Sequence, residues 1–191
     1  MGLTLHPFDL ATNKILAVAG RMEPIDFIDS FNAHKHIQHL GLLVCAACGP
    51  KGKDPGYSPL GLLDDAGRST IYSLEELSML KFDGPPPDFS AMLHEWKRIV
   101  KESRSLVEAM PVDKIGLCLV DKNGSLYKFE SLEKLSDDLA NDSIKTLSGS
   151  IKSAIPRIYA PTSDHPVNLP TESVLARPRR QKENGDIPMP L

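Results

Sequence analysis

"FSAMLHEWKRIVKESRSLVEAM", residues 89–110, decides the fold. Its apolar residues stand at 89, 92, 93, 96, 99, 100, 106, 107 and 110. That spacing of three and four residues is one face of an α-helix. Ser103 is the one polar interruption, and Glu95, Lys97, Arg98, Lys101, Glu102 and Arg104 lie opposite. Pro111 ends the helix, because a proline cannot donate the backbone hydrogen bond that continuation requires. Such a stripe must be covered. Trp96 is expected in a core, unless the helix has lost a packing partner and its face is open.

Upstream the chain reads as further helices separated by breakers. "DGPPPD", 83–88, is a rigid spacer, and Asp88 caps the long helix. Ser73 and Glu76 form a capping box at the start of a short helix. Ser58 and Pro59 are an N-cap and first-turn pair for "LGLLDDAGR". "GPKGKDPGYSP", 49–59, is a turn-rich loop. "LLVCAAC", 42–48, is expected as a short apolar helix after Gly41, closed by Gly49 and Pro50. A helix over about 24–40 begins with Pro24 in its first turn. Phe27, Ile28 and Phe31 mark its buried face, and His34, His36 and His39 are expected toward water. A first helix capped by Asp9 runs through "LATNKILAVA" and stops near Gly20, after a possible strand end at 3–8.

Downstream the period changes. "KIGLCLV", 114–120, and "SLYKFE", 125–130, flank "DKNG", which predicts a β-hairpin. A weaker helix is expected over 131–147, with Leu132, Leu135, Leu139 and Leu147 on one side. Prolines recur from Pro156, and residues 156–191 read as a flexible tail. The basic run "ARPRRQK", 176–182, has no interleaved aromatics to stack bases. The expected fold class is therefore mainly α (α+β). It comprises a helical region over 1–112, a hairpin and weak helix over 113–155, and a proline-rich tail over 156–191.

Composition excludes several classes. The 191 residues are 41% hydrophobic and 25% charged, as in ordinary globular proteins. A net charge of -3 does not call for nucleic acid. No apolar run approaches the ~18–20 residues needed to span a bilayer. Three cysteines argue against a disulfide framework and for a reducing cytoplasm. Cys45 and Cys48 have CxxC spacing, but their apolar neighbours predict small core side chains rather than a zinc site.

The chemistry is concentrated at the start, in "HPFDLATNKILAVAGRMEPIDFID", residues 6–29. Lys14 and Arg21 are seven residues apart and share a face of the first helix. Asp26 and Asp29 are three apart and share a face of the second. Folding the two helices together would bring two cations and two carboxylates to one corner. Such a corner is either a structural set of ion pairs or a site where cations meet phosphate oxygens.

This stretch resembles the helical motif of AbiEii-type nucleotidyltransferases, the abortive-infection and toxin-like branch of the polymerase-beta-like superfamily. Lys14, Ala17, Arg21, Asp26 and Asp29 fall on the family's pattern, whereas Ile25 stands where the family usually has arginine. The loops "KDPGYSP" and "FDGPPPD" are similar to landmarks of a subgroup, so the resemblance covers roughly residues 5–110. The resemblance implies transfer of a nucleoside monophosphate from an NTP, with Lys14, Arg21, Asp26 and Asp29 as nucleotide-binding residues. The family's metal-binding part, a Gly-Ser turn followed by Asp-x-Asp, lies upstream of this motif and is not found here. Adjacent Asp64 and Asp65 sit in an expected helix and diverge by ~100°. The expectation is thus a truncated or split homologue, inactive alone. Mg2+ with NTP would enter only with a complementing catalytic subunit, and otherwise no cofactor is expected. A homodimer, or an interaction module using the apolar face of 89–110, is the alternative. Neither nucleic acid nor membrane is expected as a partner.

Overall fold

The computed structural model describes residues 6–21, 23–68 and 72–148. The protein is mainly helical, with a small two-stranded antiparallel sheet. Among the described residues no helix is long and apolar enough to cross a membrane. The proline-rich tail and its basic run lie outside the described residues.

Among the described residues, seven α-helices precede or flank the strands. They are α1 (Pro7–Arg21), α2 (Pro24–His36), α3 (Leu40–Ala47), α4 (Pro59–Gly67), α5 (Leu74–Ser78), α6 (Phe89–Ala109) and α7 (Leu132–Ala140). The strands are β1 (Leu117–Val120) and β2 (Lys145–Ser148). The local start signals act as the sequence implies. Ser58 accepts from Gly61 N, Asp88 from Ala91 N, and Ser73 with Glu76 closes a reciprocal capping box.

Helix α3 is the centre of the packing. All of its residues are buried, and it touches α1, α2, α4, α6 and β1. Gly41 lies in its first turn, not before it, and a side chain there would press on Leu106 at 3.0 Å. The absence of a Cβ lets α3 and α6 approach closely. Trp96 is 0% exposed and meets Phe27 edge-on at 5.6 Å, while its indole N–H donates to Ala66 O at 3.3 Å. Met92, Ile99, Ser103, Leu106, Val107 and Met110 are also buried. Most of the stripe of 89–110 is therefore covered by this chain's own helices, with Phe89, Leu93 and Val100 half-buried at its margin.

Three other local expectations are corrected. Helix α1 starts at Pro7 rather than after Asp9, and Phe8 N donates to His6 Nδ1 at 3.2 Å. Asp9 instead pairs with the buried Lys53, whose ammonium also donates to Asp9 O and to Asn13 Oδ1. Lys53 thus fastens the 49–58 loop to α1. The second helix stops at His36, so His39 lies beyond it and caps α3. His34 and His39 are half-buried and meet edge to face, and of the three only His36 faces solvent as expected. The weak helix also ends early, at Ala140. Asp142 takes a left-handed φ of 52°, and Leu147 lies on β2, 54% exposed.

The DKNG turn forms. Gly124 N donates to Asp121 O and Asp121 N to Ser125 O, with a single antiparallel bridge from Val120 to Leu126. The full strand partner of β1 is β2, with Leu117 opposite Ser148 and Val120 opposite Lys145. Gly116, at φ +82°, lets β1 begin where the chain touches the backbone of Gly52.

Candidate functional site

The first two helices meet as their spacing predicts. Ser30 Oγ donates to Lys14 O at 3.1 Å and ties α2 to α1. Around this tie all four residues converge. Lys14 Nζ lies 2.6 Å from Asp29 Oδ2 and 3.3 Å from Asp26 Oδ1. The Arg21 guanidinium reaches both oxygens of Asp26, donating to Oδ1 at 3.2 Å and lying 3.0 Å from Oδ2. The contact to Oδ2 is ionic only, since Oδ2 receives no hydrogen bond among the described residues.

The four charges differ in their access to water. Asp26 is 1% exposed, Asp29 23%, Lys14 38% and Arg21 51%. Asp26 is thus the buried anchor, and the cations extend from it to the surface. A buried carboxylate is tolerated only where it is paired and hydrogen-bonded. The Lys14 ammonium is held above its ordinary pKa. Partial burial works against the charge, but the carboxylates of Asp29 and Asp26 outweigh that cost.

Sequence reasoning missed Tyr72. Its ring lies 6.0 Å from that of Phe27, and burial together with the Asp26 charge pushes its hydroxyl up to about 12. The hydroxyl is buried and, among the described residues, has no hydrogen-bond partner. Tyr72 sits just before the capping box, where the sequence offers no periodic signal. Its role depends on folding α5 back beside α2.

The other candidates do not form sites. Asp64 and Asp65 diverge as expected: Asp64 pairs with Arg104, and Asp65 accepts from Tyr57 Oη and Arg68 at 2.5 Å. Cys45 and Cys48 are buried among apolar residues. Burial and the neighbouring Cys48 push the Cys45 thiol up, while burial and Asp54 push Cys48 up to about 12. Thiols held protonated are poor metal ligands. Among the described residues there is no group of three or more histidine, cysteine or acidic side chains placed to hold a metal ion.

The donor set of the corner does not fit Mg2+. Asp26 and Asp29 already face an ammonium and a guanidinium, which would repel a divalent cation. Comparisons with family models, curated proteins and solved structures found no match to this chain.

Proposed function

We propose that this chain is a nucleotidyltransferase-like protein that supplies the nucleotide-facing half of an NMP-transfer site. Lys14 and Arg21 meet phosphate oxygens, Asp26 orients both cations from beneath, and Asp29 is the carboxylate that an arriving phosphate displaces. A complementing catalytic subunit brings the acidic ligands for metal, so the chain alone binds NTP without transferring it. Three buried thiols fit a reducing cytoplasm.

The observation that carries this reading is the exposure gradient. One buried carboxylate holds two cations whose outer ends face solvent. The four formal charges cancel, so the corner does not attract anions from a distance. A triphosphate must compete with Asp29 for Lys14, and the affinity is on the order of millimolar.

ATP or CTP titrated with magnesium should protect Lys14 from amine labelling, and Arg21→Met should weaken that protection. Labelling of Lys14 that is unchanged by saturating nucleotide would overturn the reading.

A further inference from the structure

At the opposite end of α2 from the ionic corner, two imidazoles share one task. His34 Nδ1 accepts from Leu40 N at 3.0 Å, and His39 Nδ1 accepts from Gly41 N at 3.2 Å. These are the first two amides of α3, the helix at the centre of the core. Helix N-termini leave such donors without intrahelical partners. An imidazole can accept at Nδ1 only when that nitrogen carries no proton, so both rings are neutral with the proton on Nε2.

The same corner holds the C-terminal unit. Gln38, between the two histidines in sequence, is buried and donates to Leu119 O at 3.2 Å and Tyr127 O at 3.1 Å. The His39 ring lies 4.6 Å from that of Phe129, and 5.0 Å from that of His34. Helix α3, Gln38 and the extended segment 125–130 therefore depend on one geometry of residues 34–41.

We propose that His34 and His39 form an acid-sensitive latch that docks the 117–130 segment on the helical body. A proton on either Nδ1 turns an acceptor into a donor that faces another N–H. It also places positive charge at the positive end of α3 and beside the other imidazole. The corner then opens, and the Gln38 bonds and the Phe129 stack are lost with it.

The surroundings keep both rings neutral near pH 7. Burial chiefly lowers the His34 pKa to about 4, with help from His39, Lys35 of α2 and Arg98 of α6, against Glu95 of α6. Burial likewise lowers His39 to about 4, against Glu102 of α6 and with help from Arg98. Both glutamates are already committed. Glu95 pairs with Lys35 and Arg98, and Glu102 takes two bonds from Arg98 at 2.6 and 2.7 Å. The segment 125–130 contributes the apolar Phe129 ring. Because the folded values lie below the ordinary 6.5, the unfolded chain takes up protons first. The stability contributed by the neutral pair is complete above pH 6.5 and is lost as pH falls toward 4.

The test uses the full chain. Imidazole NMR signals followed from about pH 7.5 to about 3.5 should show His34 and His39 as neutral Nε2–H tautomers at pH 6. Their protonation should coincide with shifts of the 125–130 amides. In urea, the unfolding constant should rise with acid by a factor approaching about a hundred per pH unit near pH 5, two protons being taken up. His34→Asn with His39→Asn keeps side-chain acceptors that do not titrate there, and should abolish most of that slope. Both histidines titrating near 6.5 with the 125–130 amides unmoved would overturn the proposal, as would an unchanged slope in the double variant. Should that variant fail to fold, the imidazole titration of the unaltered chain decides the matter alone.

Discussion

Helix α2 carries a polar cluster at each end, and the two ends handle buried polarity in opposite ways. At its start, the buried Asp26 carboxylate is met by Lys14 and Arg21, which reach it from α1 while keeping contact with water. At its far end, His34 and the following His39 stay neutral, the Nδ1 of each ring accepting from a backbone N–H of α3. The first solution needs opposite charge and tolerates solvent. The second needs only an acceptor of the right shape and is weakened by charge. The two ends should therefore respond differently to the same kind of substitution.

The largest effect is expected from stranding the buried charge. Lys14→Met with Arg21→Met leaves the Asp26 carboxylate buried without a cation. Urea unfolding should show a loss of about 3–5 kcal/mol, typical of breaking a buried pair from one side. Adding Asp26→Leu should restore most of it, because the cost lies in the unpaired charge rather than in lost contacts. If the triple variant is no better than the double, the ionic end is held by packing and the contrast fails.

A smaller loss is expected at the other end. His39→Ala removes the acceptor for Gly41 N and the Phe129 stack, which together amount to about 1–2 kcal/mol. His39→Asn should recover the capping part, since an amide oxygen accepts as well as an imidazole nitrogen. No neutral residue should replace Lys14 in the same way. A His39→Asn variant as damaged as His39→Ala would show that the ring, not the acceptor, is what the site requires.

The contrast also explains what could be read in the chain beforehand. Lys14, Arg21, Asp26 and Asp29 were legible because helical spacing alone puts each pair on one face, and a single inter-helix contact completes the corner. The caps at Ser58, Ser73 and Asp88 and the stripe of α6 are equally local signals. The histidine end was not legible. A histidine near a helix terminus reads as solvated, and only tertiary packing against Phe129 and α6 makes it dry. The same limit hid β2. Leu132, Leu135, Leu139 and Leu147 continue one helical period, so nothing local separates the last of them. The break comes from the left-handed Asp142 and from pairing with β1, a contact distant in sequence. The face of α6 was legible as apolar, but its cover, α3 with its inserted Gly41, depended on an approach that only the folded chain displays.

Asp29 gives the smallest effect on stability and the sharpest one on function. It contacts Lys14 at 2.6 Å, yet both groups reach solvent, so the pair should contribute under ~1 kcal/mol. Asp29→Asn should leave the unfolding curve almost unmoved, and Asp26 should still hold Lys14 in place at 3.3 Å. The substitution removes the carboxylate that competes with phosphate and leaves the corner with a net charge of +1. Under the proposed function, ATP should then protect Lys14 from labelling at several-fold lower concentration, with the gain reduced by added salt. A purely structural corner predicts the reverse order of effects: a small change in stability and no response to nucleotide in either protein. The two accounts therefore separate on a variant that folds, with the unaltered chain as its reference.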